Sequence, residues 1–274
     1  MSLISFIKRL IPRNIGYIAR KLKLFLRGYI YRGDIYSCPI CEHEYRKFFD
    51  GGFDTEGNTR YQIIGSGRRK HIICPGCAST DRERLIMLCL TNKALKLWPA
   101  ESILHIAPEP ALGSQIKKWQ KQNGGLYIGG TKYHEGFYYG DDIQLIDLLH
   151  LKFSDNQFDL LICNHVLEHI EDDLRAMSEL RRVLRPGGKA ILQVPWSPIL
   201  ETTYEDLSIV DEKEREKHFG QFDHVRVYGK DYTARLKQAG FLIEVLDEKA
   251  LSLDKTQYIR YGLNPLETVF IASK

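Results

Sequence analysis

Four cysteines are the clearest residues of this chain that could do chemistry. They form two Cys-x-x-Cys pairs, CPIC at 38–41 and CPGC at 74–77, with 32 residues between the pairs. Each pair can turn two thiolates toward one point, and two pairs complete the tetrahedral sulfur shell that zinc prefers. A dithiol redox pair and unrelated thiols are the alternatives. We predict a structural zinc site, with no open position for catalysis, formed by Cys38, Cys41, Cys74 and Cys77.

Polar residues near the middle of the chain form a second candidate group. His165, Glu168 and His169 are spaced i, i+3 and i+4, so a helix would place them on one face, and a helix is predicted for 166–184. Histidine is suited to removing a proton near neutral pH, which a hydroxyl nucleophile requires. The candidate catalytic residues are His165, His169, His224 and Asp223.

The stretch SILHIAPEPALG at 102–113 has an unusual turn. An apolar run ends in Ala-Pro-Glu-Pro, where a nucleotide-binding α/β protein usually carries a glycine-rich turn. Apolar runs then alternate with helical patterns up to the C-terminus, which is typical of a parallel sheet with crossover helices. The predicted strands are 102–107, 125–130, 158–163, 188–194, 241–246 and 267–272.

Two motifs carry a resemblance to a known family. FSDNQFDLLICNHVLEHI and LRPGGKAILQVP resemble strand four, the next helix and strand five of class I S-adenosylmethionine-dependent methyltransferases, particularly the type-11 branch. The resemblance covers about 100–274. CPGCASTDRERL and LHIAPE are also similar to a subset of that branch that is fused to a Cys-x-x-Cys module. The resemblance implies an α/β fold: a Rossmann-like, seven-stranded methyltransferase sheet beside a small zinc-ribbon-like module.

The resemblance also implies a binding site for S-adenosyl-L-methionine. APEPALG occupies the glycine-rich loop, where Ala107 would permit close backbone approach and Glu109 would bind the methionine ammonium. Thr131 stands where the family carries an acidic residue for the ribose hydroxyls, and Asp141 or Asp142 is the alternative. Asp147 matches the position that contacts the adenine amino group. The implied cofactor-binding residues are Ala107, Pro108, Glu109, Thr131, Asp147, Leu148, Asn164 and His165.

The histidine motif leaves a second metal site open. Some relatives with a Glu-x-x-Glu-His version bind a divalent metal there, and His165, Glu168 and His169 with His224 offer a comparable set. The alternative is that Glu168 and His169 pack behind the site, as in relatives without metal. Three helix residues alone seldom define a metal site, so the motif favours packing.

The chain divides into three predicted parts: a basic amphipathic helical segment at 1–33, a four-cysteine module at 34–80 and a methyltransferase domain at 81–274. Within the domain, 197–230 is predicted to form a lid that helps to choose the acceptor. The first helix has an apolar face formed by Ile15, Ile18, Ala19, Leu22, Phe25, Leu26, Tyr29 and Ile30. That face suits an anionic membrane surface or, equally, packing on the protein's own body.

Charge and composition limit the classes of partner. The net charge is +4, but residues 1–32 hold eight basic residues and no acidic one, so the rest of the chain sums to −4. That balance disfavours nucleic acid as a partner. The paired cysteines have the spacing of a metal site, and the chain has no long apolar run. We therefore predict a cytoplasmic protein, which is peripheral at the membrane if the first helix binds lipid. Cys89 and Cys163 lie in apolar stretches and are predicted to be buried core thiols.

The functional prediction is transfer of a methyl group to an oxygen of a small or glycan-type acceptor. An aromatic and charged lid, with Phe219, Phe222, Arg226 and Tyr228, is consistent with a hydroxylated ring. One alternative is an RNA methyltransferase whose zinc module binds RNA. Another is a non-catalytic binding protein that keeps the fold, because fold alone does not guarantee activity.

Overall fold

The computed structural model describes residues 13–132, 143–247 and 250–274. Its N-terminal part consists of short elements around the cysteine pairs. They are α1 (Arg13–Ile30), β1 (Arg32–Cys38), β2 (His43–Tyr45), β3 (Phe49–Gly51), α2 (Glu56–Arg60), β4 (Arg69–Ile73) and α3 (Asp81–Thr91). β1 pairs with β2 and β3 with β4, both antiparallel.

Longer strands and helices alternate in the rest of the chain. They are β5 (Ser102–Ile106), α4 (Pro110–Asn123), β6 (Leu126–Thr131), β7 (Gln144–Leu145), β8 (Phe158–Asn164), a 3₁₀ turn (Leu167–His169), α5 (Asp173–Val183) and β9 (Leu184–Gln193). After these come β10 (Tyr204–Glu205), α6 (Glu212–Phe219), β11 (Arg226–Val227), α7 (Tyr232–Gln238), β12 (Leu242–Leu246), α8 (Lys255–Arg260) and β13 (Val269–Ser273).

Seven strands form the central sheet, in the order β12-β13-β9-β8-β5-β6-β7. β7, β6, β5, β8 and β9 run parallel, whereas β13 is antiparallel to both of its neighbours. The prediction of an α/β fold with a seven-stranded sheet is confirmed. All six predicted strands are present, although β9 begins at Leu184 rather than at 188.

The sheet is buried on both faces, as the uninterrupted apolar runs of its strands require. Ile103, Leu160 and Ile191 pack on one side with α3 and the cysteine module. Leu104, Leu161 and Leu192 pack on the other side with α5 and α7. Cys89 and Cys163 are completely buried, which confirms their prediction as core thiols. Among the described residues, no helix is long and apolar enough to cross a membrane.

The helix predicted for 166–184 was wrong over its first two turns. Residues 167–169 form a 3₁₀ turn, Ile170 is extended, and α5 begins only at Asp173. The Asp172 carboxylate accepts a hydrogen bond from the Arg175 backbone N–H (3.0 Å), which caps a new helix N-terminus. The histidine motif therefore lies on a loop and a short turn, and its residues do not share a helix face.

The N-terminal helix contacts the cysteine module through the side opposite its apolar face. The Arg27 guanidinium donates to the carbonyls of Pro75 (2.8 Å) and Cys74 (3.2 Å). At Gly28 the backbones are so close that a Cβ atom would lie 3.0 Å from the Gly76 Cα. From Ile18 to Ile30 the apolar side chains of this face are exposed instead, and Phe25 and Tyr29 are 70% and 73% exposed. Packing of this face on the protein's own body, one of the two interpretations, is therefore wrong for the described residues.

Candidate functional site

The carboxyl ends of β5, β6 and β8 meet at one edge of the sheet, where ligands of open α/β sheets bind. Ala107 follows β5 with a left-handed backbone (φ 46°), and its N–H donates to the Gly130 carbonyl at 2.7 Å. The chain then enters α4 through Pro108 and Glu109, and Pro110 occupies the first turn of the helix. This loop is the APEP stretch of the sequence.

Glu109 places a carboxylate at this edge. Its Oε2 lies 3.1 Å from Nε2 of His105, and its Oε1 accepts a hydrogen bond from the Asn164 side-chain amide. His105 is completely buried and also lies 3.2 Å from the Tyr127 hydroxyl. Burial alone would raise the pKa of Glu109, but His105 and the amide of Asn164 hold the pKa below its ordinary value. The histidine at the end of β5 thus keeps an ionised carboxylate at the loop.

The other predicted cofactor residues lie further along the edge. Thr131 ends β6, and its hydroxyl donates to the Lys132 carbonyl at 3.2 Å. Asp147 is exposed and accepts a hydrogen bond from the Leu149 N–H at 2.9 Å, so it shapes its own turn. The Leu148 side chain is buried. Asp141 and Asp142, the alternatives for the ribose, lie outside the described residues.

His165 follows Asn164 at the end of β8 with a left-handed backbone (φ 54°). Arg82, at the start of α3, donates to Nδ1 of His165 and also, at 3.0 Å, to the Gly65 carbonyl. Burial and the charge of Arg82 lower the pKa of His165 well below its ordinary value. Because Nδ1 accepts a hydrogen bond, the proton of the neutral ring lies on Nε2. This tautomer suits a hydrogen-bond donor better than a base.

Glu168, His169 and His224 converge beside His165. Glu168 is completely buried, and its Oε1 lies 3.8 Å from Nε2 of His169 and 3.9 Å from Nε2 of His224. Nδ1 of His169 lies 3.3 Å from the Asp223 carboxylate. Burial raises the pKa of Glu168 to about 7, and burial lowers that of His224 to about 3. Three of the four predicted catalytic residues, His165, His169 and His224, thus lie around one carboxylate, and Asp223 contacts His169.

Two arginines hold this cluster in place, and sequence reasoning gave neither of them that role. Arg226 is 1% exposed, and its guanidinium donates to the carbonyls of Leu167 (3.1 Å), Ile170 and Glu171 (2.8 Å). These three carbonyls therefore accept hydrogen bonds from Arg226 in the segment where a continuous helix was predicted. Arg82 comes directly after the second cysteine pair, within CPGCASTDRERL, but only the fold shows that it reaches His165.

The four cysteines of the module face one another. The Sγ atoms of Cys38 and Cys77 are 3.6 Å apart, and those of Cys41 and Cys74 are 3.8 Å apart. Zn–S bonds of about 2.3 Å place tetrahedral sulfur ligands about 3.8 Å from one another. All four sulfur atoms lie within 4.8 Å of each other. The donor set and its spacing therefore fit a zinc ion.

Comparison with known proteins finds similarity over the part of the chain that includes this site. Residues 114–192 match the family model described as a methyltransferase domain. A demethylmenaquinone methyltransferase of Bacillus velezensis is 25% identical over 146 residues, which are 53% of this chain and 58% of that protein. A 2-phytyl-1,4-naphtoquinone methyltransferase of Nostoc punctiforme is 46% identical over 46 residues, which are 17% of this chain and 20% of that protein.

An uncharacterized protein of Methanocaldococcus jannaschii is 45% identical over 65 residues, 23% of this chain, and the match spans 28% of its own length. Among solved structures, a SAM-dependent methyltransferase from Archaeoglobus fulgidus aligns over 70% of this chain and 94% of its own, with 12% identity and a TM-score of 0.43. The [4+2]-cyclase SpnF aligns over 70% of this chain and 81% of its own, with 17% identity and a TM-score of 0.48.

The family match covers the middle of the α/β fold. The sheet is α/β with seven strands, and the matched segment extends from α4 through β9, which includes the end of β8 and the turn with Glu168. Residues 114–192 therefore carry the pattern of a methyltransferase domain. The match does not extend to the cysteine module.

Proposed function

We propose that this protein is an S-adenosylmethionine-dependent methyltransferase that acts on a hydroxyl-bearing acceptor. The observation that carries the proposal is the Glu109 carboxylate, held at the end of β5 by His105 and Asn164 within the fold of the matched domain. Its side chain remains 20% exposed, so a cofactor's ammonium group can reach it. Methyl transfer mainly requires the acceptor atom, the methyl carbon and the sulfur to be aligned.

The donor set fits most of the cofactor. Glu109 offers an anion for the ammonium group, and the exposed Asp147 offers a carboxylate for the adenine amino group. Thr131 supplies only a hydroxyl for the ribose. We therefore expect Glu109 and Asp147 to contribute more to affinity than Thr131.

Calorimetry with S-adenosylhomocysteine tests cofactor binding. In Glu109→Gln the side chain keeps its shape but loses the charge, and we expect affinity to fall about 10-fold or more, as for a charged hydrogen bond worth about 1.5–3 kcal/mol. Glu101→Gln, an exposed carboxyl just before β5, is the matched control and should bind like the wild type. If the wild type binds no S-adenosylhomocysteine at millimolar concentration, the proposal is refuted, and a non-catalytic protein becomes the better interpretation.

The acceptor we propose is an oxygen of a small or glycan-type molecule. The His169 and Asp223 pair at the rim is partly exposed, so a hydroxyl group can approach it. A quinone-type ring is the second candidate, because the similar proteins of Bacillus velezensis and Nostoc punctiforme are named for such acceptors. The two candidates differ in the atom that receives the methyl group.

Radiolabelled cofactor distinguishes these acceptors. Cell fractions are incubated with the enzyme, and the labelled product is treated with hydriodic acid, which cleaves methyl ethers and leaves methyl groups on carbon. Release of the label supports the oxygen acceptor, whereas retention supports a ring carbon. Label in RNA, together with a gel shift that weakens steeply with salt, would instead favour the RNA methyltransferase alternative.

We propose that the cysteine module binds one structural zinc ion through Cys38, Cys41, Cys74 and Cys77. The support is the sulfur spacing described above, together with the Ser79 hydroxyl, which lies 3.4 Å from the Cys38 sulfur and 3.1 Å from that of Cys77. Purified protein should contain one zinc equivalent at the cysteines, and Cys77→Ser should lose that equivalent. Full retention of zinc in that variant would count against this site.

We propose that the first helix holds the enzyme against an anionic membrane surface. Ile18, Leu22 and Phe25 are more than half exposed, and the exposed basic residues Arg20 and Lys23 flank this face. Partial burial of such a face in the headgroup region, with basic side chains near anionic lipid, is the usual mode of an interfacial helix. Lys8 and Arg9, which belong to the same basic segment, lie outside the described residues.

Flotation with phosphatidylglycerol vesicles tests this placement. The full chain should float with anionic vesicles and remain at the bottom with neutral phosphatidylcholine vesicles. Leu22→Glu with Phe25→Glu should abolish flotation, whereas Phe53→Glu, which changes an equally exposed aromatic residue outside the helix, should not. A wild-type chain that stays at the bottom with anionic vesicles refutes the placement.

A further inference from the structure

The Glu168 carboxylate is buried without a hydrogen-bond donor among the described residues. The side chain is completely inaccessible, and neither Oε1 nor Oε2 has a hydrogen-bond partner there. Burying an unsatisfied carboxylate costs several kcal/mol unless a cation or a set of donors compensates for it. The position therefore calls for a positively charged ligand or a proton.

Two imidazole nitrogens face this carboxylate. One ligand atom each of Glu168, His169 and His224 lies within 4.8 Å of the other two, and both histidines approach Oε1 through Nε2. Ligands at 2.0–2.2 Å from one ion are separated by roughly 3–4 Å. Movements of a few tenths of an ångström would thus bring all three side chains to a common ion.

The opposite side of each ring is held by an acceptor. Nδ1 of His169 lies 3.2 Å from the Asp223 backbone carbonyl, in addition to the Asp223 carboxylate. Nδ1 of His224 lies 3.3 Å from the Phe219 carbonyl. A proton on Nδ1 that is donated to a carbonyl or carboxylate leaves Nε2 with its lone pair, which is the arrangement around most metal-binding histidines.

The local charge also permits a cation. Glu168 and Asp223 supply two carboxylates, and they outnumber the one guanidinium of Arg82, which binds the same Nδ1 of His165 that faces Glu168. His165 itself is 3.5 Å from Glu168 through Nδ1, but Arg82 occupies that nitrogen, so His165 is not available as a ligand. Three ligands remain, and one side of the cluster is open because His169 is 26% exposed.

We propose that Glu168, His169 and His224 bind one divalent first-row transition metal ion, such as zinc or cobalt, with at least one position open for a further oxygen ligand. Two imidazoles and one carboxylate with an open position form the ligand set of catalytic rather than structural sites. This site is separate from the four cysteines, and nothing in the ligand geometry depends on the methyl donor.

The role of the ion rests on the proposed function. The acceptor hydroxyl would bind the open position, which lowers its pKa, and its proton would pass to solvent water. The acceptor oxygen would then form a bond to the methyl carbon while the carbon–sulfur bond breaks and its electron pair remains on sulfur. Atoms and charge balance without a further reactant.

Metal content and cobalt spectroscopy test the site directly. The full chain is stripped with a chelator, reloaded with Zn²⁺ or Co²⁺, desalted and assayed for bound metal. We expect Glu168→Gln and His224→Gln each to bind one equivalent less than the wild type. His218→Gln, a partly exposed histidine of α6 outside the cluster, is the matched control and should keep the full content.

Cobalt distinguishes the two kinds of site, because thiolate ligands give intense charge-transfer absorption and nitrogen and oxygen ligands do not. The lost equivalent should remove visible ligand-field bands and leave the thiolate bands unchanged. Equal metal content in the wild type and both variants overturns the proposal, as does loss of the thiolate bands alone. Binding of S-adenosylhomocysteine is measured on the same samples, since its persistence shows that a variant is folded and its absence in the wild type refutes only the proposed function.

Discussion

Replacing Arg226 by lysine should destabilise the turn that carries Glu168 and His169. The guanidinium lies in the lid strand β11 and donates to three carbonyls of the turn, while its Nε lies 2.9 Å from the Glu205 carboxylate. Lysine keeps the charge but presents one compact ammonium group, which cannot reproduce the planar fork that reaches all of these acceptors. We expect at least one or two of these carbonyls to lose their donor.

The size of the effect follows from the burial of the group. Arg226 is 1% exposed and its bond to the Leu167 carbonyl is buried, so water cannot replace that donor without opening the lid. Hydrogen bonds to charged groups contribute about 1.5–3 kcal/mol each, and a buried acceptor left unpaired costs about 1–3 kcal/mol. We therefore expect Arg226→Lys to reduce the free energy of unfolding by about 2–4 kcal/mol, and Arg226→Met by at least as much.

Urea unfolding measures this change. Arg215→Lys is the matched control, because Arg215 also lies in the lid but its Nε donates to a single carbonyl, that of Ile209 (2.9 Å). We expect less than about 1 kcal/mol for the control. S-adenosylhomocysteine binding should change little in Arg226→Lys, since Glu109 lies on another segment. A loss below about 0.5 kcal/mol in Arg226→Lys would refute the view that this guanidinium shapes the turn.

Three further predictions concern buried polar groups and the cysteine module. Arg84 is completely buried and donates to the carbonyls of Tyr261 (2.6 Å), Ser79 (2.8 Å) and Gly262 (2.9 Å), so Arg84→Met should cost about 3 kcal/mol or more in urea unfolding. Burial raises the pKa of Glu267 to about 7. The contribution of Glu267 to the free energy of unfolding is therefore fully present below about pH 4.5 and is lost as the pH rises through 7, a loss on the order of 3 kcal/mol. In Glu267→Gln this loss should be absent when unfolding is measured from pH 4.5 to 8. If the curves of the wild type and Glu267→Gln run parallel, burial does not raise the pKa of Glu267 in the folded state. Removal of zinc by a chelator should lower the melting temperature of the wild type by more than that of Cys77→Ser, which lacks the ion at the cysteines, and equal shifts in the two proteins would contradict a structural ion there.

The central sheet was predictable because its signals are local. The apolar runs of β5 and β8 lie between turn residues. This pattern is typical of a buried parallel strand and can be recognised without knowing which strands pair with it. Asp172 is a counterexample. Its capping of α5 is also a local interaction, but the prediction placed Asp172 inside a longer helix. The apolar spacing from Leu167 to Leu184 continues across the break, so the hydrophobic period alone could not reveal it.

The site was less predictable because its decisive contacts join distant segments. The residues themselves were identified from their types, and His169, His224 and Glu168 do come together. Their geometry, however, depends on Arg226, which is 55 to 59 residues away from the carbonyls that it binds. Nothing in the helical pattern of residues 166–184 predicts that a guanidinium from the lid would compete for its backbone acceptors.

The cysteine module and the sheet act as one unit around the candidate site. Arg82 lies in the first turn of α3, shortly after the second cysteine pair, and it links the carbonyl of Gly65 in the module to His165 at the end of β8. The Gly65 backbone is left-handed (φ 83°), and a Cβ atom there would lie 3.0 Å from both the His165 ring and the Glu267 carboxylate. The module therefore covers the histidine that borders the proposed methyl-transfer site. A structural ion that orders the cysteines would, through Arg82, also fix the orientation of that histidine, which gives the zinc module a role in arranging the site although it is predicted to have no catalytic position of its own.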